Sequence, residues 1–199
     1  MDIIEEAKAF AKGIFAGDAS GHDFDHTMRV FHIATRIAQE ENADLLTVRL
    51  AALLHDVDDH KLSPETSDGK LRAAEFLRSH GVGKERTAHI IRIIDTISFS
   101  ANKGAPESIE GKCVQDADRL DAMGAIGIAR AFAFGGSRGR AIYDPAGEDK
   151  TTSIQHFYDK LLLLKDRMNT DTGKAMALQR HEYMRGFLEE FYGEWAGER

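Results

Sequence analysis

In the stretch AALLHDVDDHKL, residues 51–62, an apolar run that suits a helix interior ends abruptly in His55, Asp56, Asp58, Asp59 and His60. Charged groups are costly to bury unless a partner or a cation compensates them. The run extends backwards, because residues 45–57 are apolar nearly all round, the mark of a helix enclosed by other helices. Just before it, residues 25–41 place Val30, Ile33, Ala34 and Ile37 at helical spacing, with Arg29, His32, Arg36 and Glu40 opposite. His26 falls on the apolar stripe of that helix. Further helical patterns cover residues 3–15, 69–80, 84–97, 111–134, 153–164 and 171–195, and no segment alternates convincingly as a strand. The expected fold is therefore all-α, a helical bundle.

The three prolines, Pro64, Pro106 and Pro145, all sit in polar, turn-like surroundings. Two loops are expected, one after the quoted stretch (HKLSPETSDGK) and one after Phe134 (GGSRGRAIYDPAGEDKTT), and loops carried on rigid helices often hold functional groups. A length of 199 residues allows one sizeable core and points to a single domain over 1–199. No apolar stretch is long enough to cross a bilayer, and the acidic N-terminal segment lacks the pattern of a signal or transit peptide, so a cytoplasmic protein is expected. Cys113 is the single cysteine, which excludes an internal disulfide and a multi-thiolate metal site. The formal net charge of −7 argues against stable binding to nucleic acid.

A divalent cation would resolve the burial problem. His55 and Asp56 are adjacent at the end of the buried helix, and His26 faces inward from the helix before it. Imidazole nitrogen and carboxylate oxygen together suit a first-row divalent ion or magnesium. A fourth ligand can come from VQDADRLDAMG, residues 114–124, where Asp118 and Asp121 are three apart and share a helical face while Asp116 points elsewhere. Asp118 is the choice made here.

A lone histidine, then His-Asp, then a distant aspartate resembles the HD superfamily of metal-dependent phosphohydrolases. GHDFDHTMRV, AALLHDVDDHKL, VQDADRLDAMGAIGIAR and FGGSRGRAIYDP, in this order, are together similar to its small single-domain bacterial branch, which includes nucleoside triphosphate pyrophosphohydrolases. The resemblance implies an all-helical HD bundle with C-terminal helices packed on the core, and one divalent ion held by His26, His55, Asp56 and Asp118. Manganese is the preferred ion, with magnesium, iron, zinc, cobalt and nickel as alternatives. Such an ion lowers the pKa of a water and polarises a phosphoryl group. Stringent-response hydrolases of the same superfamily carry an acidic pair shortly after HD, and Asp58 and Asp59 occupy the similar region here. Offset from His55 puts Asp59 on the first acidic position and His60 on the second. Asp59 reads either as the group that takes a proton from the attacking water, one turn beyond His55 if the helix continues, or as a carboxylate at a helix end; Asp56 is the other candidate for that proton.

For substrate, His22 and Asp23 precede His26, Asp23 reading equally as a helix cap. Lys61 can reach phosphate from its loop. Arg138 and Arg140, among Gly135, Gly136 and Gly139, suit an anion, as do backbone amides freed by those glycines. His156, Tyr158 and Lys160 open the next helix. Arg119 reads as an ion-pair partner beside Asp118. His80 and His89 form no convincing second-metal pattern. The function expected is hydrolysis of a small nucleotide, a nucleoside triphosphate giving monophosphate and pyrophosphate. Its rivals are a guanosine polyphosphate hydrolase, a nucleotide monophosphatase and a non-catalytic metal-bearing nucleotide sensor. No membrane partner is expected, and an exposed face on the final helix leaves room for a homodimer.

Overall fold

The computed structural model describes residues 2–16, 23–59, 65–68, 70–97 and 104–199. Among them all regular structure is helical: α1 (Ile3–Ile14), α2 (Phe24–Glu40), α3 (Leu45–Leu54), α4 (Leu71–Ser79), α5 (Lys84–Ile97), α6 (Ile109–Asp121), α7 (Gly124–Ser137), α8 (Ser153–Asp159), a 3-10 helix (Leu161–Arg167) and α9 (Asp171–Trp195). The all-α expectation is met. The helices fall into two compact units, Met1–Asp118 and Arg119–Arg199.

In the first unit α3 is the central element, packed against α1, α2 and α5. Leu50, Ala51, Ala52, Leu53 and Leu54 have no exposed surface, as an apolar surface on every side demands. Aspartates start three of these helices. Asp2 accepts from the Ile4 amide, Asp23 from His26 and Asp44 from Thr47, each filling a backbone donor that the first turn leaves open.

α3 ends at Leu54, three residues short of the expected 57, and His55 is its C-cap. The continuous helix expected over 111–134 is broken between Asp121 and Gly124, where Gly124 takes φ +71 and a Cβ on Gly127 would lie 2.3 Å from the Ala122 carbonyl oxygen. In the second unit Arg180 donates to the Leu120 carbonyl, and Arg130 to the Asp121 carbonyl at 3.4 Å, satisfying acceptors that the end of α6 exposes.

The loop expected directly after Phe134 begins later, since α7 runs to Ser137. Its end is a Schellman cap: the Arg140 amide donates to the Gly135 carbonyl and the Gly139 amide to Gly136, with Gly139 at φ +66. The amides expected to be free for an anion are therefore consumed by the helix end. The helix expected over 153–164 likewise divides at Lys160, whose φ of −141 leaves the helical region. The 3-10 helix that follows repeats every three residues, so Leu161 and Leu164 both point inward and are buried. Among the described residues no helix is long and apolar enough to cross a membrane.

Candidate metal centre

Three helices of the first unit supply the centre. The Asp23 carboxylate accepts from the His26 amide at 2.7 Å, which fixes the first turn of α2 and sends His26 inward beside Thr27 and Val30. His26 is 1% exposed. His55 sits where α3 stops, and its Nδ1 donates to the Ala52 carbonyl at 2.8 Å. That bond leaves Nε2 of the neutral ring as a lone pair directed at the cluster. Asp56 follows at once, and Asp118 arrives from α6.

Their donor atoms converge. His55 Nε2 lies 3.3 Å from His26 Nε2 and 3.2 Å from Asp56 Oδ2. His26 Nε2 lies 3.5 Å from both Asp56 Oδ2 and Asp118 Oδ1. Ligand atoms of His26, His55 and Asp118 all fall within 4.8 Å of one another. Ligands about 2.1 Å from a shared cation are roughly 3.0 Å apart when adjacent on an octahedron and roughly 3.4 Å apart on a tetrahedron. The observed spacings fit such a cation, and a set of two imidazoles and two carboxylates suits a divalent ion. Burial disfavours the charged form of His55, but the Asp56 and Asp118 carboxylates outweigh it and its pKa is raised. The centre thus attracts positive charge.

The segment after His55 is a tight turn. The Asp59 amide donates to the Asp56 carbonyl at 3.0 Å, so Asp59 is carried past the ligands by this turn and not by a continuing helix. Asp58 has a different task. It is fully buried, and its two carboxylate oxygens accept from the Arg72 and Ala73 amides at 3.1 and 3.0 Å. These open α4, whose own N-cap, Lys70, offers no side-chain bond. Sequence reading misses this role because the bonded amides lie 14 and 15 residues downstream; an acid close to a helix start that lacks a capping residue is the available signal.

Asp121 is buried and pairs with Arg130 in the second unit, whereas Asp118 reaches the centre. Arg119 donates to the Arg167 carbonyl. His80 pairs with Glu6 at 2.9 Å and stacks on Phe76, and His89 faces Glu110 at 3.3 Å. Asp23 is the cap of α2. His22, His60 and Lys61 lie outside the described residues. Arg138 and Arg140 belong to the second unit, where both guanidinium groups lie over the Phe134 ring.

Residues 23–123, which contain all four ligand-type residues, match the HD domain family. The chain belongs to the HD domain family. It is 43% identical to the uncharacterized protein YpgQ of Bacillus subtilis (strain 168), over 94% of this chain and 90% of that protein. The crystal structure of an HD-superfamily hydrolase from Bacillus thuringiensis superposes with a TM-score of 0.84 at 46% identity, covering 97% of this chain and 96% of the other. Bacillus subtilis YpgQ in complex with ADP superposes with a TM-score of 0.81 at 39% identity, covering 96% of this chain and 94% of YpgQ. This HD protein is a metal-dependent phosphohydrolase.

Proposed function

We propose that the protein hydrolyses small nucleotides and converts a nucleoside triphosphate to monophosphate and pyrophosphate. The observation that carries this reading is the convergence of His26, His55, Asp56 and Asp118 in an HD chain. The relative crystallised with ADP supports a nucleotide as the substrate class.

His26, His55, Asp56 and Asp118 would hold a divalent ion, and manganese is our preferred ion. A cation so held polarises a phosphoryl oxygen and acidifies a water. The Ala52 carbonyl keeps the proton of His55 on Nδ1, so Nε2 stays available for ligation. Asp59, placed by the turn after Asp56, takes the proton of the attacking water. The water oxygen forms a bond to the α-phosphorus, the bond from that phosphorus to the bridging oxygen breaks, and pyrophosphate leaves with the electron pair. Asp23 orients the first turn that carries His26, and His22 and Lys61 contact the substrate.

The test is protein stripped of metal, reloaded with manganese, magnesium or zinc, and given a panel of nucleotides. Pyrophosphate and a 5′-monophosphate from triphosphates are expected. Pyrophosphate only from the 3′ side of guanosine polyphosphates, orthophosphate only from monophosphates, or binding without turnover would each replace the proposal by the corresponding alternative.

A further inference from the structure

The two helices that deliver His55 and Asp118 are joined at their starts as well as at the metal centre. α3 begins at Leu45 and presents His55 as its C-cap, while α6 begins at Ile109 and presents Asp118 from its third turn. A rise of about 1.5 Å per residue puts the start of α3 about 15 Å from His55 and Glu110 about 12 Å from Asp118. The two helices therefore run side by side in one direction, and they end with ligand atoms of His55 and Asp118 within 4.8 Å of one another.

Glu110 makes the joint at the starts. Its Oε1 accepts from the amide of Asp44, the N-cap of α3, at 3.3 Å, and its Oε2 accepts from His89 Nε2 on α5, also at 3.3 Å. The Glu110 side chain is only 16% exposed. Burial disfavours its charge, but its own amide, the Asp44 amide and His89 outweigh burial and hold the carboxyl below its ordinary range. The neighbouring pair of Arg86 with Asp44, 3.5 Å apart and close to half exposed on both sides, adds little by comparison. The turn that presents Glu110 is itself fixed. The Gly111 amide donates to Ser108 Oγ at 3.1 Å, and a Cβ on Gly111 would lie 2.7 Å from Pro106 Cβ.

α3 packs most broadly on α2, α5 and α1. It meets α6 through polar groups, the Glu110 bridge at one end and the ligand cluster at the other. A ligand atom tolerates a displacement of about 0.2 Å from its cation, whereas sliding α6 by a single residue would carry Asp118 about 1.5 Å. The bridge opposes that slide.

We propose that Glu110 is a positioning residue for the metal centre: by bonding both the cap of α3 and His89 it sets how far α6 stands along α3, and so where Asp118 offers its carboxylate to the ion. The inference rests on Asp118 being a ligand, and it gives His89, which belongs to no metal pattern, a task in the same centre.

The experiment is cobalt titration of the full-length parent and variants, with urea unfolding of each metal-free protein alongside. Glu110→Ala should weaken cobalt binding by about 10-fold or more, the usual effect of a group behind the ligands. Glu110→Gln keeps an acceptor for the Asp44 amide and should recover most of that loss. Asp2→Ala removes the cap of α1, a helix outside the bridge, and should lower stability while leaving cobalt affinity unchanged. The discriminating measurement is Glu110→Ala combined with Asp118→Ala. A group that acts through Asp118 has nothing left to position there, so the added substitution should change cobalt affinity no further. Parental affinity in Glu110→Ala, an equal loss in Asp2→Ala, or an undiminished Glu110 effect in the Asp118→Ala background overturns the inference. Parental affinity in Asp118→Ala overturns the ligand set itself, so the two failures are told apart.

Discussion

Asp58→Ala tests the claim that the acidic run after HD divides its labour. The Asp58 carboxylate is buried and accepts two amide hydrogens, from Arg72 at 3.1 Å and Ala73 at 3.0 Å. A buried hydrogen bond to a charged acceptor contributes about 1.5–3 kcal/mol, and removing a helix cap costs about 1–2 kcal/mol. The two bonds constitute the cap, so these figures overlap and do not add. A loss of about 2–4 kcal/mol is expected for Asp58→Ala, with Asp58→Asn recovering part of it because one carbonyl acceptor remains. The assay is urea unfolding of metal-free protein, which keeps ligand binding out of the comparison. The turn that carries Asp56 loses its anchor to α4 as well, so cobalt affinity should fall by roughly 10-fold, a typical effect of a group behind the ligands. A stability loss below about 0.5 kcal/mol in Asp58→Ala would refute the cap.

Asp59→Asn should keep the metal and lower turnover by about 100-fold or more, as removal of a proton acceptor does; normal turnover in metal-loaded Asp59→Asn removes the residue from the mechanism. Hydrogen bonds from the Thr47 hydroxyl and amide, aided by Arg86 and His89, hold the Asp44 carboxyl below its ordinary range. Its stabilising effect is therefore complete above the unfolded carboxyl pKa of about 3.9 and disappears as pH falls through the lower folded value. Asp44→Ala should cost about 1 kcal/mol in neutral urea melts, with the gap from the parent protein closing below about pH 4. Gly127→Ala should destabilise by about 1–3 kcal/mol, because the added carbon meets the Ala122 carbonyl, whereas Gly136→Ala, with open space around it, should be neutral or slightly stabilising; comparable thermal shifts in both would contradict the packing. Burial, then Glu41, Asp116 and Glu110, raise the Cys113 thiol to about 12, so the folded protein should resist a disulfide thiol reagent that reacts after unfolding.

The sequence carries the helices wherever one face is apolar at a fixed period. α5 and α9 agree with the expected limits of 84–97 and 171–195, and α2 differs by a single residue at each end. It fails where backbone conformation decides. Nothing in the composition of 111–134 requires a break, yet Gly124 adopts a positive φ there, and Lys160 ends α8 within a pattern that continues to look helical. His26 and His55 are legible because imidazoles stand there on helices that are otherwise apolar, with Asp56 beside His55, whereas spacing leaves Asp118 and Asp121 equal and only the resemblance to the HD superfamily implies the set with Asp118. The separate tasks of Asp58 and Asp59 are not legible, since the amides that claim Asp58 come from α4.

The most direct measurement is the cobalt content and affinity of the parent protein beside those of Asp118→Ala. One tightly bound ion per chain, with a d–d spectrum characteristic of mixed nitrogen and oxygen ligands, is predicted for the parent. At least about 100-fold weaker binding is predicted for the variant, which lacks one of four ligands. Equal affinity and an identical spectrum in the two proteins would contradict the centre described here.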